Sequence, residues 1–338
     1  MNEFDFIASI RERAREHAPG LLRGIGDDAA VFKSSPATDV VVSTDLLIED
    51  IDFERHTTTP DRLGHKALAV SLSDVAAMGA RPRWSMLSIG VPEDIWKSAW
   101  LDDFYAGWFQ LAKRYAVTLI GGDTSRTGEK IVIDSMVLGE TAKGGAVYRS
   151  GAKPGDQIFV TGFLGDAAAG LRLLQRGARP HLDSSDESVE HSDALDYLLL
   201  RQLCPEPRVG WGLLLGEQQL ATAMIDVSDG LSSDLNHVCT ESNVGAVVDA
   251  GAIPINPRVT DLSGRRALDP LMLALHGGED FELLFTVDPA KVEKLPKRVD
   301  GVSLTRIGEI TAAAEGVLVR EGSRTWKLDP GGWQHFKG

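Results

Sequence analysis

Gly24-Ile25-Gly26-Asp27-Asp28-Ala29-Ala30-Val31-Phe32 is the stretch from which this chain is best read outward. Its two glycines permit a tight turn or a close approach of backbone to a ligand. Two adjacent aspartates follow, then a short apolar run suited to a strand. Adjacent carboxylates repel, so keeping both ionised requires cations nearby. Hard cations such as Mg²⁺ take oxygen ligands, which aspartate supplies. Related acidic stretches recur: Ser43-Thr44-Asp45, Asp74, Gly121-Gly122-Asp123-Thr124, Asp226-Val227-Ser228-Asp229-Gly230 and Gly277-Gly278-Glu279-Asp280. Their recurrence predicts that several converge on metal ions carrying a polyphosphate.

The composition narrows the class. A chain of 338 residues has room for two domains and a sizeable core. A formal charge of −14 argues against a general nucleic-acid binder. It leaves a phosphate substrate open, because bound metals reverse the local sign. The two cysteines, Cys204 and Cys239, are far apart and form no C-x-x-C, which fits buried thiols in a reducing compartment. The opening Met1–Asp5 has no basic region followed by an apolar run, so no signal peptide is expected. No apolar run approaches the ~20 residues that span a membrane. The expectation is a cytoplasmic enzyme.

Periodicity orders the elements. Phe4 to His17 reads as an amphipathic helix ended by Pro19-Gly20. Val40-Val41-Val42 reads as a short strand delivering Ser43, Thr44 and Asp45 at its end, before an acidic loop of Glu49, Asp50, Asp52 and Glu54 that also suits a solvated turn. Thr59-Pro60 opens a helix that runs to Met78. That helix is apolar nearly all round, with Val70, Asp74 and Met78 on one face. A carboxylate there needs a metal or a strong donor, unless it caps the helix or faces water. Trp84–Val91 reads as a strand and Ile95–Tyr115 as one long helix, with Trp96, Trp100, Phe104, Trp108 and Leu111 on its core face. Val117–Ile120 is a strand ending in Gly121-Gly122-Asp123, and Ile131–Leu138 is another.

Residues 142–155, rich in Gly, Lys and Arg, mark the crossing between halves. Arg149 within them is either a phosphate contact or a surface arginine. Beyond lie a strand at Ile158–Thr161 and a helix at Asp166–Gln175. Pro180–Asp193 is polar and acidic and reads as a mobile surface loop without chemistry. Met224–Val227 is a strand, and Leu231, Leu235 and Val238 mark a helix, so Asp226 and Asp229 bracket a strand-to-helix turn. Val244–Val248, Phe281–Val287, Leu304–Ile310 and Gly316–Val319 read as strands, Leu271–Leu275 as a short helix, and the tail carries Trp326 and Trp333.

Several nucleotide and hydrolase signatures are missing. There is no G-x-x-x-x-G-K-[ST], no G-x-S-x-G and no H-E-x-x-H. Carboxylate-bound Mg²⁺ is therefore favoured over zinc. Gly24-x-Gly26-x-x-Ala29, with Asp45 downstream, matches a loose dinucleotide fingerprint. Two observations count against it. No strand is expected before Gly24, and Asp27 and Asp28 occupy the turn that should receive a pyrophosphate.

The ordered set of stretches resembles the thiamine-monophosphate kinase family, within the superfamily of aminoimidazole-ribonucleotide synthetase, selenophosphate synthetase and a hydrogenase maturation protein. The matching segments are Gly24–Ala29, Ser43–Asp45, Lys66–Met78, Leu119–Thr124, Arg149–Asp156, Ile225–Asp234 and Gly277–Leu283. The resemblance implies a two-domain α/β architecture with mixed sheets, like aminoimidazole-ribonucleotide synthetase. It divides into an N-terminal domain (1–141), which binds ATP and Mg²⁺ and dimerises, and a C-terminal α/β domain (142–338). It implies ATP-dependent phosphorylation of thiamine monophosphate to thiamine diphosphate by a cytoplasmic homodimer. By motif position Asp28, Ser43, Thr44, Asp45, Asp74, Asp123, Asp226 and Asp229 would bind Mg²⁺. Tyr105, Gly122, Asp123, Arg149 and Ser228 would contact ATP, and Glu279 and Trp333 the thiamine moiety. The family commonly has His where this chain has Asp52 before Phe53, leaving Asp52 to face the cationic ring.

The chemistry suits this reading. A phosphate acceptor is already nucleophilic at neutral pH, so no residue is expected to act as a general base. The difficulty is bringing two polyanions together, which metals and Arg149 can relieve. Two rivals remain: another ATP-using member of the superfamily, and a metal-binding protein without activity. A selenophosphate synthetase should carry a reactive cysteine near the N-terminus, and there is none before Cys204.

Overall fold

The structure, a computed structural model, describes residues 20–181, 193–266 and 268–333. The helix expected at Phe4–His17 and nearly all of the acidic stretch at Pro180–Asp193 lie outside the described residues.

The first half is built on a six-stranded sheet. Its strands are β1 (Leu21–Arg23), β2 (Ala30–Lys33), β3 (Thr38–Ile48), β4 (Arg81–Val91), β5 (Thr118–Arg126) and β6 (Val132–Ala142), in the spatial order β1-β2-β3-β6-β4-β5. Helix α1 (Pro60–Ala77) links β3 to β4, and α2 (Glu93–Trp96) and α3 (Trp100–Tyr115) link β4 to its parallel neighbour β5. Parallel pairing needs such crossovers, which place the helices over a sheet face. The covered face holds Val41, Leu47, Leu87, Ile89, Ile133 and Val137, all buried. Alternation sends Leu46, Met86 and Ile120 to the open side, where they are 55%, 40% and 55% exposed.

The second half opens with β7 (Gln157–Thr161), α4 (Asp166–Gln175), α5 (Asp193–Leu203), α6 (Val209–Glu217) and β8 (Ala221–Val227). It continues through α7 (Leu231–Ser242), β9 (Val244–Asp249), α8 (Pro257–Arg266), α9 (Pro270–His276) and β10 (Glu282–Val287). It ends with β11 (Arg298–Val299), β12 (Val302–Ala312), β13 (Val317–Glu321) and β14 (Arg324–Lys327). The sheet order is β14-β13-β9-β12-β7-β10-β8, with β11 beside β12. Only β13 and β9 run parallel among its described pairs, so both sheets are mixed, as expected.

The halves meet along α1. Cβ atoms added to Gly212 and Gly216 of α6 would lie 2.2 Å from Ala76 O and 2.5 Å from Gly79 O. Side chains at either glycine would push the helices apart. Ala77 shares a core cluster with Val147, Phe159, Trp211 and Phe285 of the second half.

Four expectations are corrected. β3 runs eleven residues, fully paired with β6, so Ser43–Asp45 lie mid-strand rather than at a strand end. The predicted helix Ile95–Tyr115 breaks at Lys97–Ala99, leaving Trp96 60% exposed on its own short helix. β5 continues through Gly121-Gly122-Asp123, which are strand residues and not a following loop. A strand, β1, does precede Gly24. The dinucleotide fingerprint still fails, because the turn leads into β2 instead of a helix. The helices α5, α6 and α8 had not been anticipated.

Candidate active site

α1 carries most of the site. Thr59 precedes it in extended conformation and Pro60 stands at its first position. Within its apolar body the sequence Ser71-Leu72-Ser73-Asp74 supplies two hydroxyls and a carboxylate, with Ser71 turned to the first sheet and Ser73 to the second half. Ser71 Oγ donates to Asp45 Oδ2 at 2.7 Å, from the helix to β3. Ser73 Oγ donates to Asp226 Oδ2 at 2.6 Å, from the helix to the end of β8. Ser43 Oγ of β3 donates to Asp74 Oδ2. Each of the three acids thus has one serine hydroxyl, and two of those serines were not singled out from the sequence.

Asp28, Asp74 and Asp226 converge: one carboxylate oxygen from each lies within 4.8 Å of the others. Asp28 and Asp226 are buried and Asp74 is half-buried. Arg149 caps the group, its Nη2 and Nε 2.5 and 3.1 Å from Asp28 Oδ1. Its backbone N–H donates to Asp27 Oδ1 at 3.1 Å. The alternative of a simple surface arginine is therefore set aside.

The electrostatics record the crowding. Loss of water, then repulsion from Asp28, pushes Asp226 up to about 8 against the Ser73 hydrogen bond. Burial, then Asp45, Asp226 and Asp28, hold Asp74 well above the usual carboxylate range. Burial raises Asp45 to about 6, and burial with Asp28 raises Asp27 to about 6. Asp234, at the start of α7, is also pushed well up, by burial and then by Asp229 and Asp226. Asp28 Oδ2 is buried without a hydrogen-bond partner. Clustered carboxylates short of positive charge, with a vacant oxygen among them, fit a hard divalent cation.

The other predicted residues are placed unevenly. Asp45 is close enough to raise Asp74 but lies outside the triad. Asp229 neighbours Asp234, and its carbonyl accepts from Trp333 N–H at 3.2 Å, so Trp333, 54% exposed, sits by the β8–α7 turn that carries Ser228. Thr44 and Asp123 do not join the cluster. Register aligns Asp45, Ser135, Leu87 and Gly122 in one row across the sheet. Leu46, Asp134, Ser88 and Asp123 form the next row, which alternation turns to the open side. Thr44 Oγ1 bonds Asp134 Oδ1 there, at 2.5 Å. Two strand spacings, roughly 10 Å, separate Asp123 from Asp134.

Gly122 has φ +156°, and a Cβ there would stand 1.9 Å from Leu87 O, so only glycine fits. Tyr105 is half-buried on α3, edge-on to Phe104 and tilted against Phe109; none of its described contacts reaches the acids. Asp52 Oδ2 accepts from Ile48 N–H at 2.8 Å, which ties its carboxylate to its own turn. Glu279 is also engaged, with Lys66 Nζ at 2.7 Å from Oε1 and Gln202 Nε2 donating to Oε2. Neither partner was foreseen, because no local pattern links residues so far apart.

Residues 26–141 match the family described as AIR synthase related protein, N-terminal domain, and residues 153–321 match its C-terminal domain. The fold is thus that of the AIR synthase related class. Thiamine-monophosphate kinase of Bacillus subtilis (strain 168) is 38% identical, covering 100% of both chains. That of Escherichia coli (strain K12) is 39% identical over 99% of this chain and 98% of its own. The solved structure of AaThiL complexed with AMPPCP and TMP superposes with a TM-score of 0.84 at 31% identity, covering 99% of this chain and 97% of that one. The Stenotrophomonas maltophilia K279a enzyme gives 0.75 at 41% identity, covering 94% and 96%. The chain belongs to the thiamine-monophosphate kinase family.

Proposed function

We propose that this protein transfers the γ-phosphoryl group of ATP to the phosphate of thiamine monophosphate, releasing ADP and thiamine diphosphate. The observation that carries the reading is the Asp28, Asp74 and Asp226 triad capped by Arg149, held between the two halves. Relatives with that activity in their names, and a neighbour holding an ATP analogue with TMP, favour these substrates over other acceptors.

Asp28, Ser43, Asp45, Asp74 and Asp226, with Asp229 at the margin, would hold Mg²⁺. Bound there, it would neutralise the phosphates and stabilise charge as the phosphoryl group moves. Thr44 and Asp123, on the open face of the sheet, stand outside this set. Arg149, once released from part of its pairing with Asp28, supplies a fixed cation toward the ATP phosphates, a contact that Gly122 and Ser228 would share. The acceptor oxygen is ionised at neutral pH, so no side chain need take a proton. The protein's task is alignment and charge compensation in an in-line transfer. Trp333 offers an aromatic face and Glu279 a negative charge to the cationic thiamine ring.

In this reading the chain divides at residue 141/142, one residue before the end of β6, with the first half as the ATP, Mg²⁺ and dimerisation unit. The open apolar face with Leu46, Met86 and Ile120 supports pairing of two copies. Among the described residues no helix is long and apolar enough to cross a membrane. Incubation with Mg-ATP and thiamine monophosphate, with products separated by chromatography, tests the reading. Thiamine diphosphate and ADP should appear in equal amounts. ATP turnover that yields no thiamine diphosphate would overturn it.

A further inference from the structure

A second polar feature of α1 lies apart from the acid triad. Among the described residues Lys66 is the one buried lysine, with 6% of its side chain exposed, and its described ion pair is with Glu279 of the other half. Lys66 and Ser73 are seven residues apart, two helical turns or about 10 Å, and so share one stripe of the helix. Both point at the second half: Ser73 to Asp226, Lys66 to Glu279. A single rigid helix therefore sets the distance between the acid cluster and the Glu279 carboxylate.

The loop that carries Glu279 is strained. Glu279 has φ +65° and Phe281 φ +50°, a left-handed conformation that side chains disfavour. Its backbone is held independently of Lys66. Glu279 N–H donates to Ser228 O at 2.7 Å and Phe281 N–H to Val227 O at 2.9 Å. Asp280 accepts from the Gly165 and Ala167 N–H groups at 2.6 and 3.0 Å. Glu282 is bound by Arg201 and Arg208. What the backbone does not settle is the direction of the Glu279 carboxylate, and here Lys66 and Gln202 take one oxygen each.

We propose that Lys66 is a positioning residue for substrate recognition, aiming the Glu279 carboxylate at the cationic ring of the acceptor from a helix that also presents the phosphate end of the site. This rests on the kinase reading, with Glu279 as the ring's counter-charge. Desolvated ammonium and carboxylate groups are worth far more fixed than free, because a mobile carboxylate must be ordered again at each binding event. Half-buried Glu279, 31% of its side chain exposed, keeps a surface for the ring while its oxygens stay anchored.

The test begins with the wild-type protein forming thiamine diphosphate; failure at that step sinks the kinase reading, on which this one rests, whereas failure at the next step sinks this one alone. Lys66→Met, similar in shape and without charge, is then compared in steady-state kinetics. KM for thiamine monophosphate should rise roughly tenfold, with kcat and KM for ATP within about threefold of wild type. Gln202→Leu removes the other partner of Glu279 without removing a charge, and should raise the same KM selectively. It decides the matter if Lys66→Met does not fold. Equal rises in both KM values, or no change in a folded variant, would reduce the pair to a structural tie and overturn the proposal. A fall in KM for thiamine monophosphate would mean that Lys66 competes with the substrate cation, which also overturns it.

Discussion

Asp226→Asn should make the metal-free protein more stable and nearly inactive. Burial and the Asp28 charge raise the Asp226 carboxyl from 3.8 to about 8. Between those values the folded protein keeps a proton that the unfolded chain has released. The folded state therefore binds more protons, and stability falls as pH rises through that window, levelling off above about 8. At pH 7 the gap to the unfolded value is about 3 units, which costs about 4 kcal/mol as an upper limit; at pH 5 it is about 1.6 kcal/mol. Asparagine carries no such penalty and can still accept the Ser73 hydroxyl. Urea denaturation in EDTA should show the variant gaining stability over wild type, more at pH 7 than at pH 5. Mg²⁺ binds the ionised cluster, so it should stabilise wild type increasingly from pH 6 to 8 and release protons measurable by calorimetry in buffers of different ionisation enthalpy. That response should be largely lost in the variant, with turnover down roughly 100-fold or more. A variant less stable than wild type in EDTA at pH 7, or one turning over normally in saturating Mg²⁺, would refute the reasoning.

Two further predictions concern single contacts. Arg149→Met leaves the buried Asp28 carboxylate without its guanidinium, so it should destabilise the metal-free protein by about 3 kcal/mol and raise KM for ATP more than KM for thiamine monophosphate, read by denaturation and kinetics. Gly64→Ala places a Cβ 1.9 Å from Phe104 O, where α1 and α3 touch backbone to backbone; calorimetry should show a loss of about 2–3 kcal/mol, and an unchanged melting temperature would mean the helices can part freely.

Much of this protein could be read before folding was considered. The apolar run Ala67–Met78 with one carboxylate inside it announced a buried helix and a demanding charge, because an aspartate has few tolerable places there. The strand-to-helix turn at Asp226–Asp229 was visible from a change of hydrophobic period. The acid-rich stretches, in their order, carried the family. Tertiary structure decided the rest. Thr44 and Asp45 are neighbours in sequence, yet strand alternation turns them to opposite faces, and only the length and register of β3 say which acids meet. Asp28, Asp74 and Asp226 become a metal-suited triad through the packing of two sheets about one helix, a condition no local pattern encodes. Glu279 looked like a free negative charge until the fold brought Lys66 and Gln202 against it, since a carboxylate's partners are set by whatever chain packs beside it and not by its neighbours in sequence.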